Sequence, residues 1–253
     1  MVPTLGASTL LAFLLATVRA GAWLVVAPPF NGRTVPSSVK ALLAVALALP
    51  VTSTLSAHVP STDMASILGA VVMQVVVGMG LGFVVYLLMA AISAAGSFID
   101  LFGGFTLAAA FDPLSLSQTS VFGRLHQFIM IMLMLVTDAH LLVLRGFFRS
   151  YEAIPLDGSL PISSLSNSLV VAMGGFFLAA LQIAAPLICV MFLADAGLGL
   201  MTKIAPALNA FQLGFPMKML LTLILAGLTF PLLPGVVGEL IHRALAVIMS
   251  LKG

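Results

Sequence analysis

Residues 64–99 read MASILGAVVMQVVVGMGLGFVVYLLMAAISAAGSFI and contain no Lys, Arg, Asp or Glu. As one straight helix this run would extend about 54 Å at a rise of about 1.5 Å per residue. A bilayer core is only about 30 Å thick. The run therefore has to tilt, kink or break, and the small residues Ala90–Gly96 are the expected break. Inside it, Gly78-x-x-x-Gly82 predicts close approach of a neighbouring helix, because glycine lets two backbones meet. Residues 41–62, 158–194 and 219–238 are also free of Lys, Arg, Asp and Glu.

The whole chain has the same character. Of its 253 residues 61% are hydrophobic and 7% charged, with a mean hydropathy of +1.23. A soluble domain carries roughly 45–50% apolar and about 25% charged residues. This chain has too little polar surface to cover a water-soluble globule. An ordinary cytosolic enzyme and a disordered tail are excluded. So is nucleic-acid binding: the net charge is +2 and there is no basic run. The lone Cys189 excludes an internal disulfide framework and a multi-cysteine metal site. The segment Leu5–Phe30 is too long for a signal-peptide core, lacks a basic lead-in and holds Arg19, so it is expected in the mature chain.

The expected fold class is all-α, with kinked, membrane-associated helices. The pattern predicts helices over Leu5–Ala27, Ser37–Leu55, Met64–Ala90, Ala95–Ala110, Val121–Ser150, Ser166–Pro206 and Pro216–Leu251, the last two bent. Pro186, Pro231 and Pro234 lie inside apolar runs and predict kinks. The polar stretch Tyr151–Asn167 is the expected linker between a longer first part and a helical hairpin. Basic residues are too few to set sidedness.

On a helical wheel of about 100° per residue, Arg124, Gln127, Asp138, Arg145 and Arg149 share a band about 60° wide. Such groups are expensive in lipid and should face protein or water. The band is either a pore-lining surface or a polar packing stripe. Asp138 and Arg145 stand two turns apart and cannot pair along one helix, which favours packing against a neighbouring helix or subunit. Asp138 and His140 point to different sides of a helix and cannot share a metal. Glu239-x-x-His242 lacks the further carboxylates of a di-iron site, and Glu239–Arg243 reads as an i, i+4 pair. No cofactor or metal site is expected. Neither a Gly-x-Ser-x-Gly nucleophile nor a Walker A loop occurs, so no enzyme is expected.

The loop Phe111-Asp-Pro-Leu-Ser-Leu-Ser-Gln-Thr-Ser120 is polar between two apolar segments. Asp112-Pro113 starts a turn, and the hydroxyl residues bond to local backbone. It is either an ordinary surface connection or an irregular segment lining a cavity.

Several stretches together carry a family likeness. They are Ala27-Pro-Pro-Phe-Asn-Gly-Arg33-Thr-Val-Pro36, Ala95-Gly-Ser-Phe-Ile-Asp100, Gly104-Phe-Thr-Leu-Ala-Ala-Ala-Phe-Asp112-Pro113 and Asp138-Ala-His140-Leu-Leu-Val-Leu-Arg145. With them go Ser150-Tyr-Glu-Ala-Ile-Pro155, Phe192-Leu-Ala-Asp195-Ala-Gly-Leu-Gly199-Leu-Met-Thr-Lys203 and Phe211-Gln-Leu-Gly-Phe-Pro216-Met-Lys218. In this order and spacing, from about residue 10 to 250, the chain resembles the flagellar export-gate R-subunit family, FliR, whose virulence relatives form the SctT branch.

The resemblance implies a structural part of a type III protein export gate at the flagellar basal body in the bacterial inner membrane. It implies assembly with P-type and Q-type subunits and the B-type export switch protein, and passage of unfolded protein substrates. It implies a P-like part (1–150), a linker (151–167) and a Q-like helical hairpin (168–253). Much of such an assembly sits above the bilayer plane, so apolar helices need not all be membrane crossings. It also implies that residues 107–122 form a plug in the channel, centred on Phe111, Asp112, Pro113, Leu114, Ser115 and Ser117. The competing class is a small-molecule membrane permease. A permease is expected to be stable alone or as a homo-oligomer and to show an internal repeat, and no repeat is visible here.

Overall fold

The computed structural model describes residues 6–32, 35–57, 59–61, 63–110, 120–156, 162–204 and 210–249. Among them all regular structure is helical: α1 (Ala7–Val26), α2 (Ser37–Leu55), α3 (Met64–Phe102), α4 (Phe105–Ala110), α5 (Val121–Val136), α6 (Ala139–Ala153), α7 (Ile162–Ile204), α8 (Ala210–Thr229) and α9 (Leu233–Met249), with a 3₁₀ turn at Phe230–Leu232. Five stretches are long and apolar enough to cross a membrane, within α1, α2, α3, α7 and the α8–α9 run; the bent pair α5 and α6 makes a sixth if counted as one span.

The first two helices match the expected spans closely; four other expectations are corrected. The run 64–99 does not break at Ala90–Gly96: α3 continues to Phe102. Alanine is the best helix former, and Ala91 and Ala95 are fully buried, so these small residues serve packing. The break falls at Gly103-Gly104, where Gly104 takes φ +87°, a conformation glycine adopts without a Cβ penalty.

The expected single helix Val121–Ser150 is two helices, α5 and α6, interrupted at Thr137-Asp138. Thr137 closes α5 through its N–H and hydroxyl, both donated to the Leu133 carbonyl. Asp138 then takes φ 55°, which Asp tolerates better than most residues. The linker is shorter than Tyr151–Asn167, because α6 runs through Ala153 and α7 starts at Ile162. The last region begins as α8 at Ala210 and passes through Pro216. The expected interruption at Pro231 and Pro234 is present as the 3₁₀ turn between α8 and α9.

The chain forms two compact units. The first contains residues 1–88, 138–174 and 240–253; the second contains 89–137 and 175–239. In the first unit α1 buries Ala12, Leu15, Ala16, Arg19, Ala20 and Trp23, a helical stripe. Ala44 and Ala48 of α2 are buried in the same unit, while Leu42 and Leu49 on its flank are exposed. Gly78 and Gly82 of α3 do what their spacing predicts. A Cβ on Gly78 would strike the Arg19 carbonyl and stand 2.9 Å from Ala22 Cβ; one on Gly82 would stand 3.0 Å from the Trp23 carbonyl oxygen. Trp23 stacks on Phe147 of α6, with ring centroids 4.7 Å apart.

The second unit has its own core of Ile99, Phe122, Leu187, Met191 and Ala226, with Phe105, Leu221 and Leu225 packed on it. Lys218 of α8 is fastened to Asp195 of α7 at 2.8 Å.

Candidate functional site

The last turns of α3 carry Ser93, Gly96, Ser97 and Asp100 on one face, at the i, i+3, i+4, i+7 spacing of a helix. That face meets the N-terminus of α5 in the second unit. A Cβ on Gly96 would collide with the Phe122 carbonyl and the Gly123 nitrogen, so the two backbones touch only because this residue is glycine.

Asp100, 3% exposed, projects to the start of α5. The Phe122 N–H donates to its carboxylate, at 3.0 Å from Oδ2 and 3.2 Å from Oδ1. The Ser120 hydroxyl donates to Oδ2. Ser120 is also the N-cap of α5, its Oγ accepting from the Gly123 N–H at 2.8 Å. Ser97 Oγ lies 3.1 Å from Ser120 Oγ, and the Ser93 hydroxyl donates to the Gly123 carbonyl at 3.2 Å. An anionic carboxylate beside the free N–H groups of a helix start is doubly favoured: the bonds are charge-assisted, and the helix dipole is positive there.

This cluster stands directly after residues 111–119. On the other side of that segment, α4 leaves the Gly103-Gly104 turn. A Cβ on Gly103 would stand 2.6 Å from Thr222 Oγ1, so α3 and α8 are close there. Phe105 of α4 meets Phe122 of α5 edge to face, centroids 5.2 Å apart. Both flanks of the segment are thus rooted on the C-terminal turns of α3. The six plug-centre residues Phe111, Asp112, Pro113, Leu114, Ser115 and Ser117 lie outside the described residues.

The five residues of the polar stripe do not share one helix. Arg124 and Gln127 are on α5, Asp138 is at the break, and Arg145 and Arg149 are on α6. The reason is the left-handed Asp138, which turns the chain between the two halves of the band. Arg124, Gln127, Asp138, Arg145 and Arg149 are all exposed.

A second polar cluster, missed by the wheel, lies in the first unit. Arg19 is fully buried in α1. Its Nε donates to Gln74 Oε1 at 2.6 Å, and its terminal nitrogens donate to the carbonyls of Ser150 at 3.1 Å and Ile154 at 2.8 Å. Its guanidinium lies 4.5 Å over the Tyr151 ring, and the Tyr151 hydroxyl donates to the Ala16 carbonyl at 2.9 Å. Gln74 completes the cluster by donating to the Leu156 carbonyl at 3.3 Å. A cation at the carbonyl end of α6 is favoured by the dipole there. The expected polar linker therefore carries a buried anchor in Tyr151, Ile154 and Leu156. The signals were present in sequence: Arg19 is a charge inside an apolar run, Asp100 is the first charge after the 64–99 run, and Ser120 directly precedes an apolar helix.

Among the described residues no group of three or more His, Cys, Asp or Glu is placed to hold a metal ion.

The chain was compared with known proteins. A family model described as bacterial export proteins, family 1, matches residues 10–244. The flagellar biosynthetic protein FliR of Bacillus subtilis (strain 168) is 31% identical over 218 residues, covering 85% of this chain and 84% of that one. FliR of Pectobacterium carotovorum subsp. carotovorum is 32% identical, covering 86% and 83%. The Yop proteins translocation protein T of Yersinia pestis is 33% identical over 147 residues, covering 57% and 56%. These matches replace the permease reading, since the likeness runs through both compact units and to proteins of export systems: this chain belongs to the bacterial export proteins, family 1.

Proposed function

We propose that the chain is the R-type structural subunit of a type III export gate in the bacterial inner membrane, at the flagellar basal body. The observation that carries this is the family match over residues 10–244. The flagellar relatives quoted above align along 85% and 86% of the chain, the virulence-type one along 57%, which favours a flagellar setting. In this reading the chain joins P-type and Q-type subunits and the B-type switch protein, and unfolded proteins pass through the assembly. It catalyses no reaction. In this reading residues 1–150 form the P-like part and 168–253 the Q-like hairpin, which takes most of α7 together with α8 and α9.

The mechanism proposed is a barrier. An export channel must pass a chain yet hold back ions, and residues 107–122 act as the plug. Two features support that assignment. The segment's flanks are rooted on α3, by the Gly103-Gly104 turn on one side and by Asp100 with Ser120 on the other. Arg124, Gln127, Asp138, Arg145 and Arg149, exposed on this chain, are then covered by partner subunits, since such groups are costly in lipid.

The test is co-expression with the partner subunits, followed by removal of Asp112–Thr119. Intact assembly with raised ion leakage across the membrane is expected. Wild-type conductance in a correctly assembled complex would sink the plug assignment. Failure of the wild-type chain to co-purify with any P- or Q-type subunit would sink the gate assignment itself.

A further inference from the structure

In the second unit the start of α5 hangs on Phe122. Its N–H donates to Asp100 and its ring meets Phe105. Its carbonyl lies 2.8 Å from Nδ1 of His126, one turn further along α5. A carbonyl only accepts, so Nδ1 carries the proton, and on the neutral ring Nε2 is a bare acceptor. His126 is fully buried. Among the described residues no donor reaches Nε2. The ring beside it is Phe230 of the 3₁₀ turn, centroids 5.8 Å apart, which offers no donor. An apolar side chain would fill this space without a stranded lone pair, so a histidine here asks for a second reason.

A second proton changes the site. It would sit on Nε2 as a buried N–H with no acceptor, on a ring that now carries charge. The charged group facing the ring from α3 is Asp100, whose carboxylate already accepts from the Phe122 N–H and the Ser120 hydroxyl. The 3₁₀ turn contributes Phe230. Arg124, two residues back on α5, is exposed and points away from His126. Asp195 and Lys218 of α7 and α8 are committed to each other. The doubly protonated ring therefore reaches an acceptor in two ways. It can leave its site for water, which breaks its bond to the Phe122 carbonyl, or it can draw the Asp100 carboxylate away from the Phe122 N–H. Both loosen Phe122.

We propose that His126 is a proton-operated latch on the root of residues 111–119. With one proton the ring holds the Phe122 carbonyl and the root is closed. With two it lets go, and the first turn of α5 comes off α3. The sign follows from linkage: the closed root excludes the second proton and the open one accepts it, so the closed state is favoured at high pH and loses ground as pH falls. The latch itself depends only on this cluster; its effect on ion passage rests on the plug reading.

The experiment takes the full chain with the subunits that accompany it and follows hydrogen–deuterium exchange at the amides of Phe122, Gly123 and Arg124, corrected for the intrinsic rate at each pH. A released histidine titrates near about 6.5, so opening in wild type should rise up to about tenfold between pH 7.5 and 5.5. The amides of α1 should not change. His126→Phe fills the site without a titrating group, and His126→Gln keeps a neutral donor; in either variant the rise should vanish, whatever its protection at pH 7.5. The proposal is overturned if wild-type opening does not change with pH, or if either variant keeps the wild-type rise, since another group would then be titrating. Ion leakage of the same complex in vesicles is measured in parallel. Root opening with raised leakage supports latch and plug together; root opening with unchanged leakage supports the latch and counts against the plug.

Discussion

Asp100→Ala tests the root of the loop directly. The substitution leaves the Phe122 N–H and the Ser120 hydroxyl without their buried carboxylate acceptor. A hydrogen bond to a charged group contributes about 1.5–3 kcal/mol, and a carboxylate at a helix start adds about 0.3–1 kcal/mol. The Ser120 hydroxyl can turn to another acceptor, so the sum is not fully additive, and a local loss of about 2–4 kcal/mol is expected. At 1.4 kcal/mol per factor of ten, opening of the first turn of α5 should become about 30 to 700 times more frequent. The assay is hydrogen–deuterium exchange at the amides of Phe122, Gly123 and Arg124 in the assembled complex. Exchange there should accelerate, while the amides of α1, in the other unit, should not change. Asp100→Asn keeps one acceptor but places an amide donor against existing donors, and should cost about half as much, about 1–2 kcal/mol. If the three amides keep their wild-type protection in Asp100→Ala, the carboxylate does not hold the α5 start and the reasoning fails.

Arg19→Ala should destabilise the chain by about 3–5 kcal/mol, since it strands buried carbonyls and Gln74 and leaves a cavity. Thermal unfolding in detergent checks this, with Arg19→Lys expected to fall between the alanine variant and wild type. Gly78→Ala should cost about 1–3 kcal/mol by pushing α3 off the α1 backbone. Gly174→Ala, whose Cβ would meet nothing within 4 Å, should instead raise stability of the isolated chain by about 0.5–1 kcal/mol; equal melting temperatures for both variants would contradict the packing argument. Asp138→Asn removes the charge yet tolerates the φ of 55° and should lower the yield of complex with partner subunits without lowering expression of the chain. Unchanged yield on co-purification would remove Asp138 from the proposed interface.

Helix content was legible because it rests on local properties. Apolar runs of about 20 residues between proline and polar punctuation place α1 and α2 almost to the residue. The breaks were less legible, because they depend on which of two local preferences prevails. Ala90–Gly96 reads as weak by side-chain size, but burial of Ala91 and Ala95 turns small size into close packing. Thr137-Asp138 carries no glycine or proline, yet Asp138 accepts the left-handed conformation that ends α5. The wheel failed there for that reason: a periodicity argument assumes an unbroken helix.

What the sequence determined by itself is the solvent and the class. Such a composition cannot cover itself with polar surface, so an all-helical chain bounded by lipid or other subunits follows from transfer free energies alone. The order of its motifs also pointed to the export family. What only the tertiary structure decided is which of the few polar residues act together. Arg19 and Ile154 are 135 residues apart, and Asp100 and Phe122 are 22 apart; their pairing depends on helices packed through Gly78, Gly82 and Gly96. A buried polar group must find its partner in space, and no one-dimensional spacing specifies that partner.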